Sequence, residues 1–129
     1  MLLCKKLVFL FLLSFFGIHA MRAMDAKESL ILYKILTLDE WATSENSERI
    51  VTASYDNAFI HFSLEHQVAG VVKKKFLDSS YVILSVDPTK LIGELRFEWD
   101  SKKTDQYYHL HNGYIPAAAV ERHEIITQK

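Results

Sequence analysis

Of the six histidines in the 129-residue chain, five lie beyond residue 20: His61, His66, His109, His111 and His123. His109 and His111 are two positions apart in a stretch that alternates like a strand, so both rings fall on one face. Together with His61 they make a three-imidazole set that can hold zinc and leave a position for a hydrolytic water. No compact ligand motif such as H-E-x-x-H accompanies them, and the chain has no nucleophile elbow, phosphate loop or G-x-G-x-x-G. His61 sits in Phe59-Ile60-His61-Phe62-Ser63, a run that is apolar except for one imidazole and one hydroxyl. Its parity is opposite to that of Ile60 and Phe62, so a core under those two turns His61 the other way. Ser63 is placed to cap the helix that follows, where unpaired backbone donors suit an anion. The plainer alternative is that Ser63 only caps and His61 only satisfies a local hydrogen bond. Lys34 interrupts an apolar run from Leu30 to Leu36. Its ammonium must reach a carboxylate, a ligand or water, or be carried to the strand end by its own stem.

The elements that would position these groups can be read from periodicity. Leu30 to Leu36 reads as a strand buried on both faces. Thr37-Leu38-Asp39-Glu40 is a capping box that opens a short helix through Trp41. Ser44 to Ser47 breaks it, Ile50 to Ala53 reads as a short strand, and Asp56-Asn57 as a turn. After Ser63, the positions of Leu64, Val68, Val71, Val72 and Phe76 form one helical stripe, with Lys73-Lys74-Lys75 on a solvated face. Gly70 within it costs about 1 kcal/mol relative to alanine. Gln67 lies one turn beyond Ser63 and can share its side. Tyr81 to Val86 is a second apolar strand, stopped at Asp87-Pro88. Leu95, Phe97 and Trp99 alternate with Glu94, Arg96 and Glu98 in a half-buried strand. Tyr107 to His111 and Val120 to Thr127 read as the last strands, with Gly113 and Pro116 marking a turn between them. Strands that run consecutively after the helices predict an α+β domain: a split, mostly antiparallel sheet with two or three helices.

The amino end has a different pattern. Lys5 and Lys6 precede an almost wholly apolar run from Leu7 to Ile18, and Ala20 ends the triplet Ile18-His19-Ala20. That is the layout of a secretory signal peptide, and the run is short of the ~20 residues a spanning helix needs. The expected organisation is a signal peptide over 1–20 cleaved near Ala20, a loose lead-in over 21–29, and one domain over 30–127. The product would be exported, periplasmic or secreted, touching a membrane only through an uncleaved signal. Cys4 is the only cysteine and leaves with the signal, which excludes a disulfide framework and thiolate chemistry in the remainder. Cleavage removes two of 15 basic residues against 16 acidic ones, taking the net charge from −1 to about −3. No nucleic-acid footprint is expected at that balance.

These residues in this order resemble the bacterial domain of unknown function 952 family. The resemblance runs from about Leu32 to Val120. It rests on Tyr33-Lys34-Ile35, Trp41, Phe59-Ile60-His61-Phe62-Ser63 with Gln67 and Val68, Asp87 with Leu91, and Leu95-Arg96-Phe97-Glu98. It closes on His109-Leu110, Gly113, Ile115-Pro116 and Ala119-Val120. The family is similar in fold to the ADP-ribosyltransferase superfamily, whose active members bind NAD in a cleft of a split sheet. The resemblance implies a cleft lined by Lys34, His61, Ser63, Glu98 and His109, and Gln67, on the side of Ser63, joins them as a candidate ligand-binding residue. It also implies departures: Lys34 stands where members carry histidine, and His109-Leu110-His111-Asn112-Gly113 contains an extra residue. A lysine cannot accept a ribose hydrogen bond while charged, which speaks against NAD transfer. The expected function is binding of a small anionic or nucleotide-like ligand, with no metal and no assigned cofactor beyond an NAD-like ligand. The alternatives are a metal-dependent hydrolase on His61, His109 and His111, and a non-catalytic structural or interaction protein.

Overall fold

Thr37 ends the first strand and starts the first helix through one device. Its Oγ1 accepts from Glu40 N–H at 3.1 Å, and Glu40 Oε1 accepts from Thr37 N–H at 2.8 Å. This is the expected capping box. It separates strand β1 (Leu32–Thr37) from helix α1 (Leu38–Ser44). The computed structural model describes residues 30–128, and the expected signal peptide and lead-in lie outside them. From Ile31 onward the chain packs as one compact unit. Among the described residues no helix is long and apolar enough to cross a membrane.

After α1 come β2 (Ile60–His61), a 3-10 turn (Glu65–Gln67), α2 (Val68–Lys75) and β3 (Tyr81–Val86). The chain ends with β4 (Ile92–Trp99), β5 (Gln106–Tyr114) and β6 (Val120–Ile126). Two three-stranded antiparallel sheets result, ordered β1-β3-β6 and β2-β5-β4. They meet where Tyr33 and Ser63 exchange backbone hydrogen bonds of 2.8 and 2.9 Å. The expected α+β architecture of a split antiparallel sheet with two helices is therefore present.

The main core lies where the inner faces meet. Leu32, Leu36, Val82, Leu84 and Val86 come from the first sheet, and Ile60 and Leu110 from the second, with Phe62 and Ile115 beside them. Each fully buried leucine, isoleucine or phenylalanine contributes about 1.5–3 kcal/mol. A smaller cluster of Ile35, Phe76 and Tyr81 is covered by Val68, Val71 and Val72 of α2.

Three local expectations need correction, at Ile50 to Ala53, at Ser63 and at Gly113. Ile50 to Ala53 is not a strand, because its backbone is tied elsewhere. Ile50 N–H donates to Ile115 O at 2.9 Å, Val51 N–H to Ser44 Oγ at 2.8 Å and Ala53 N–H to Asp56 Oδ2 at 3.1 Å. Ser63 does not cap a helix, because the bridge to Tyr33 prolongs the extended chain through it. The cap position falls one residue later, at Leu64, whose N–H donates to Gln67 Oε1 at 3.0 Å ahead of the turn Glu65–Gln67. The apolar stripe is real but divided. Leu64 packs on the main core, and Phe76 lies just past the end of α2 in the second cluster.

Gly113 lies inside β5, not in a turn. The pairing jumps from Glu94↔His111 to Ile92↔Tyr114, so Asn112 and Gly113 together oppose Gly93. That is a bulge of one extra residue on β5. Asn112 takes φ +52°, a left-handed value that asparagine tolerates well. Gly93 takes φ +127°, and a Cβ on Gly113 would sit 1.8 Å from Ile92 O, so neither position accepts a side chain without backbone movement.

Candidate functional site

The pairing of β4 with β5 and of β5 with β2 sets which side chains share a face. His61 opposes His109, Arg96 opposes His109, and Glu98 opposes Tyr107. Ile60, Leu110 and Leu95 turn to the core, so His61, His109, His111 and Glu98 all turn the other way. They form one wall of a cavity of about 580 Å³. Tyr33, Ile35 and Tyr55 contribute on another side, with Val71, Lys74 and Lys75 of α2. The loop after β4 adds Lys102, and Trp99 and Tyr107 add aromatic surface.

Phe59 stands at the centre of the imidazoles. Its ring centroid is 4.8 Å from that of His61, 4.2 Å from His109 and 4.9 Å from His111. The His61 and His109 rings meet edge-on at 5.1 Å. Packing of this kind limits the rotation of each ring.

Two carboxylates orient these rings. Asp56, whose side chain is 0 % exposed, accepts from His61 Nδ1 at 2.8 Å and from His61 N–H at 3.0 Å, both on Oδ1. Its Oδ2 accepts from Lys34 Nζ at 2.6 Å as well as from Ala53 N–H. Burial pushes the Asp56 carboxyl up, but the hydrogen bond from His61 and the charge of Lys34 outweigh it and hold it below its ordinary value. Nδ1 is committed to Asp56, which leaves Nε2 as the ring nitrogen through which His61 can meet a ligand.

Glu98 anchors the other pair. Its Oε1 lies 2.8 Å from His109 Nδ1 and 2.5 Å from His111 Nε2. Those bonds, the one to His111 first, hold the Glu98 carboxyl below its ordinary value. Burial drives the His109 imidazole down, with Glu98 opposing. Arg96 does not reach Glu98: it forms a two-point contact with Glu94, at 3.0 and 2.8 Å.

Of the six residues expected in the cleft, His61, Ser63, Glu98 and His109 line this cavity. Lys34 does not. It points to the core side with Leu32 and Leu36 and is 0 % exposed. Its Nζ is held by Asp56, by His61 O at 2.9 Å and by Tyr55 Oη at 3.4 Å. Desolvation lowers its pKa, and Asp56 opposes the shift. Gln67 does not line it either. Its Nε2 donates to Gln106 O at 2.8 Å and to Asp105 Oδ2 at 3.0 Å, tying the start of α2 to the start of β5. The sequence reading missed Asp56, taken only as a turn residue, and the cavity role of Phe59. The signal for Asp56 was Lys34 itself, since a buried ammonium demands a carboxylate, but nothing in the sequence says which one.

A sequence profile described as "Protein of unknown function (DUF952)" matches residues 35–123. The chain belongs to the DUF952 family. Within that match lie Asp56, His61, Glu98, His109 and His111. The structure is similar to the crystal structure of protein CC0527 from Caulobacter crescentus, at 26% identity and a TM-score of 0.65. The alignment covers 74% of this chain and 84% of that one. A double mutant of CC0527 aligns with the same TM-score at 24% identity. No curated protein matches this DUF952 chain.

Proposed function

We propose that the cavity binds a small anionic, nucleotide-like ligand. One observation carries this reading: aromatic walls and a set of cations border the same space. Tyr33, Phe59, Trp99 and Tyr107 offer flat surfaces for a base, while Lys74, Lys75 and Lys102 offer ammonium groups for phosphate. The volume of about 580 Å³ lies within the usual range for small-ligand sites, roughly 300–1,000 Å³. Glu98 can accept from a sugar hydroxyl, and His61 can donate or accept through Nε2. Asp100, also at the cavity, accepts from Thr104 N–H at 2.7 Å and carries a negative charge that Lys74 feels.

The two sheets opening around this space make an ADP-ribosyltransferase-like cleft the finer fold reading. Binding rather than NAD transfer remains the proposed activity. At position 34 the first strand turns a lysine inward to Asp56, so that side chain offers no acceptor to a ribose in the cavity. Export through the expected signal peptide is part of the same proposal, and a mature amino terminus near Met21 or Met24 in protein recovered from the envelope would support it.

Calorimetry with nucleotides and sugar phosphates, on protein stripped of metal by chelator, tests the ligand. Saturable binding should appear and weaken in Lys74→Ala/Lys102→Ala and in His61→Ala. No heat from any anion would overturn the reading. Rapid NAD consumption by the natural sequence in a parallel assay would overturn the binding-only part.

A further inference from the structure

We infer that Glu98, His109 and His111 form a binding site for one divalent transition-metal ion of the zinc class. One donor atom from each residue, a carboxylate oxygen and two ring nitrogens, lies within 4.8 Å of the others. Two imidazoles and one carboxylate are the donors of many open zinc and non-haem iron sites. The convergence is built into the sheet. The register places all three on one face, and the side chain of Glu98 runs back past Arg96 to reach both rings.

Both imidazoles converge on the one oxygen Oε1, whose two lone pairs can accept from each, so the hydrogen bonds and a bound ion would draw on the same three donor atoms. Arg96, the nearest cation in register, is taken up by Glu94. The Phe59 ring lies against both imidazoles and fixes their planes without supplying any polar partner. Burial is graded as an open metal site requires: His109 is 3 % exposed, His111 19 % and Glu98 34 %. The exposed side faces the cavity, where an ion would keep positions for water or an anionic group.

His61 is a neighbour of this site, not a ligand. Its Nδ1 is bound to Asp56, which is in turn neutralised by Lys34. That leaves Nε2 as the ring nitrogen able to hydrogen-bond to whatever the cavity holds. The ion site stands on the three donors alone. Only the identity of what the ion would face, the phosphate of a nucleotide-like ligand, rests on the proposed function.

Untagged protein, stripped by chelator and dialysed against Zn²⁺ or Co²⁺ without nucleotide, gives the test. The expected result is one ion per chain, with visible Co²⁺ bands of a four- or five-coordinate site. Glu98→Gln and His111→Ala should each lose more than the ~10–100-fold in affinity that removing an outer-shell partner costs. His66→Ala/His123→Ala, at the surface, should bind as the natural sequence does. Circular dichroism on each variant separates loss of a ligand from loss of fold. Binding that is absent, or equal in Glu98→Gln and the natural sequence, would overturn the assignment. So would an ion retained in Glu98→Gln but lost in His61→Ala, which would move it among three imidazoles. Nucleotide calorimetry on the stripped protein is a separate measurement, so failure of the ion site and failure of the ligand reading are distinguishable.

Discussion

Two carboxylate–imidazole clusters face the same cavity and are built to opposite rules. Asp56 is sealed, and its two oxygens receive Lys34, the ring and backbone of His61, and Ala53 N–H. Glu98 is a third exposed and receives two imidazoles, with no ammonium or guanidinium at contact distance among the described residues. The first cluster resembles a structural joint, in which a buried charge is tolerated because every lone pair is met. The second leaves its charge answered only by rings that are themselves able to bind a metal. The same residue types therefore carry different meanings, and burial with charge compensation, not chemistry alone, separates them.

The largest effect expected from breaking this contrast is at Asp56. Asp56→Ala strands the Lys34 ammonium in the core and should cost about 3–5 kcal/mol by denaturant unfolding. Glu98→Gln, by contrast, should lower the unfolding midpoint much less in metal-free buffer, because Glu98 is a third exposed and buries no unpaired charge when neutralised. Equal losses in the two variants would erase the distinction between joint and site. Acid should draw on the same residue, among the carboxylates whose pKa folding lowers. Because folding lowers the Asp56 pKa, its contribution is fully present above the unfolded value of about 3.9 and is lost as pH falls through the folded value. Stability measured from pH 7 downward should therefore show a loss below about pH 4 that Asp56→Asn reduces.

The next effect concerns the open cluster. Gly113→Ala forces a methyl group onto Ile92 O, where the gap is 1.8 Å, and should cost about 1–3 kcal/mol as an overpacked site. The bulge adjoins His111 at the end of the unbroken ladder that runs from Glu98 to Glu94, so this variant should disturb His111 and weaken Co²⁺ binding while leaving Lys34 and Asp56 as they are. Undiminished Co²⁺ binding would mean that the register at the bulge does not set the site.

The fold was legible wherever local signals agree with tertiary ones. The capping box at Thr37 and Glu40, the apolar run of β3 and the alternation from Tyr107 to His111 each fix an element by its neighbours in sequence. The parity of His61 against Ile60 and Phe62 placed it correctly toward a cavity. Lys34 was legible as an anomaly but not as a joint, because its partner lies 22 residues on, in a turn. Ser63 was misread because a bridge to Tyr33, remote in sequence, outcompetes a local cap. Gln67 was drawn into the cleft by sharing a helix side with Ser63, whereas its amide is used up by the backbone and Asp105 of the β5 region. Lys74 passed as a solvated face because periodicity records which side of a helix is polar, not what that side borders.

The smallest effect is at Gly70, and it makes the comparison measurable. Among the described residues a Cβ there meets nothing within 4 Å, so the glycine is not needed for close packing against a strand. Alanine would remove its conformational cost in the helix, and Gly70→Ala should raise stability by about 1 kcal/mol. The substitution lies on α2, away from Asp56 and from Glu98, and touches neither cluster. Placed beneath Asp56→Ala, it should therefore add its own increment, as independent sites do, and keep more of that variant folded for metal and anion titrations. If the two effects combine additively, α2 and the sealed joint are separate units of stability. A loss of stability in Gly70→Ala alone would mean that another surface presses on this face of α2. The ammonium groups of Lys74 and Lys75, one turn further on, would then be placed by that contact and not by the helix itself.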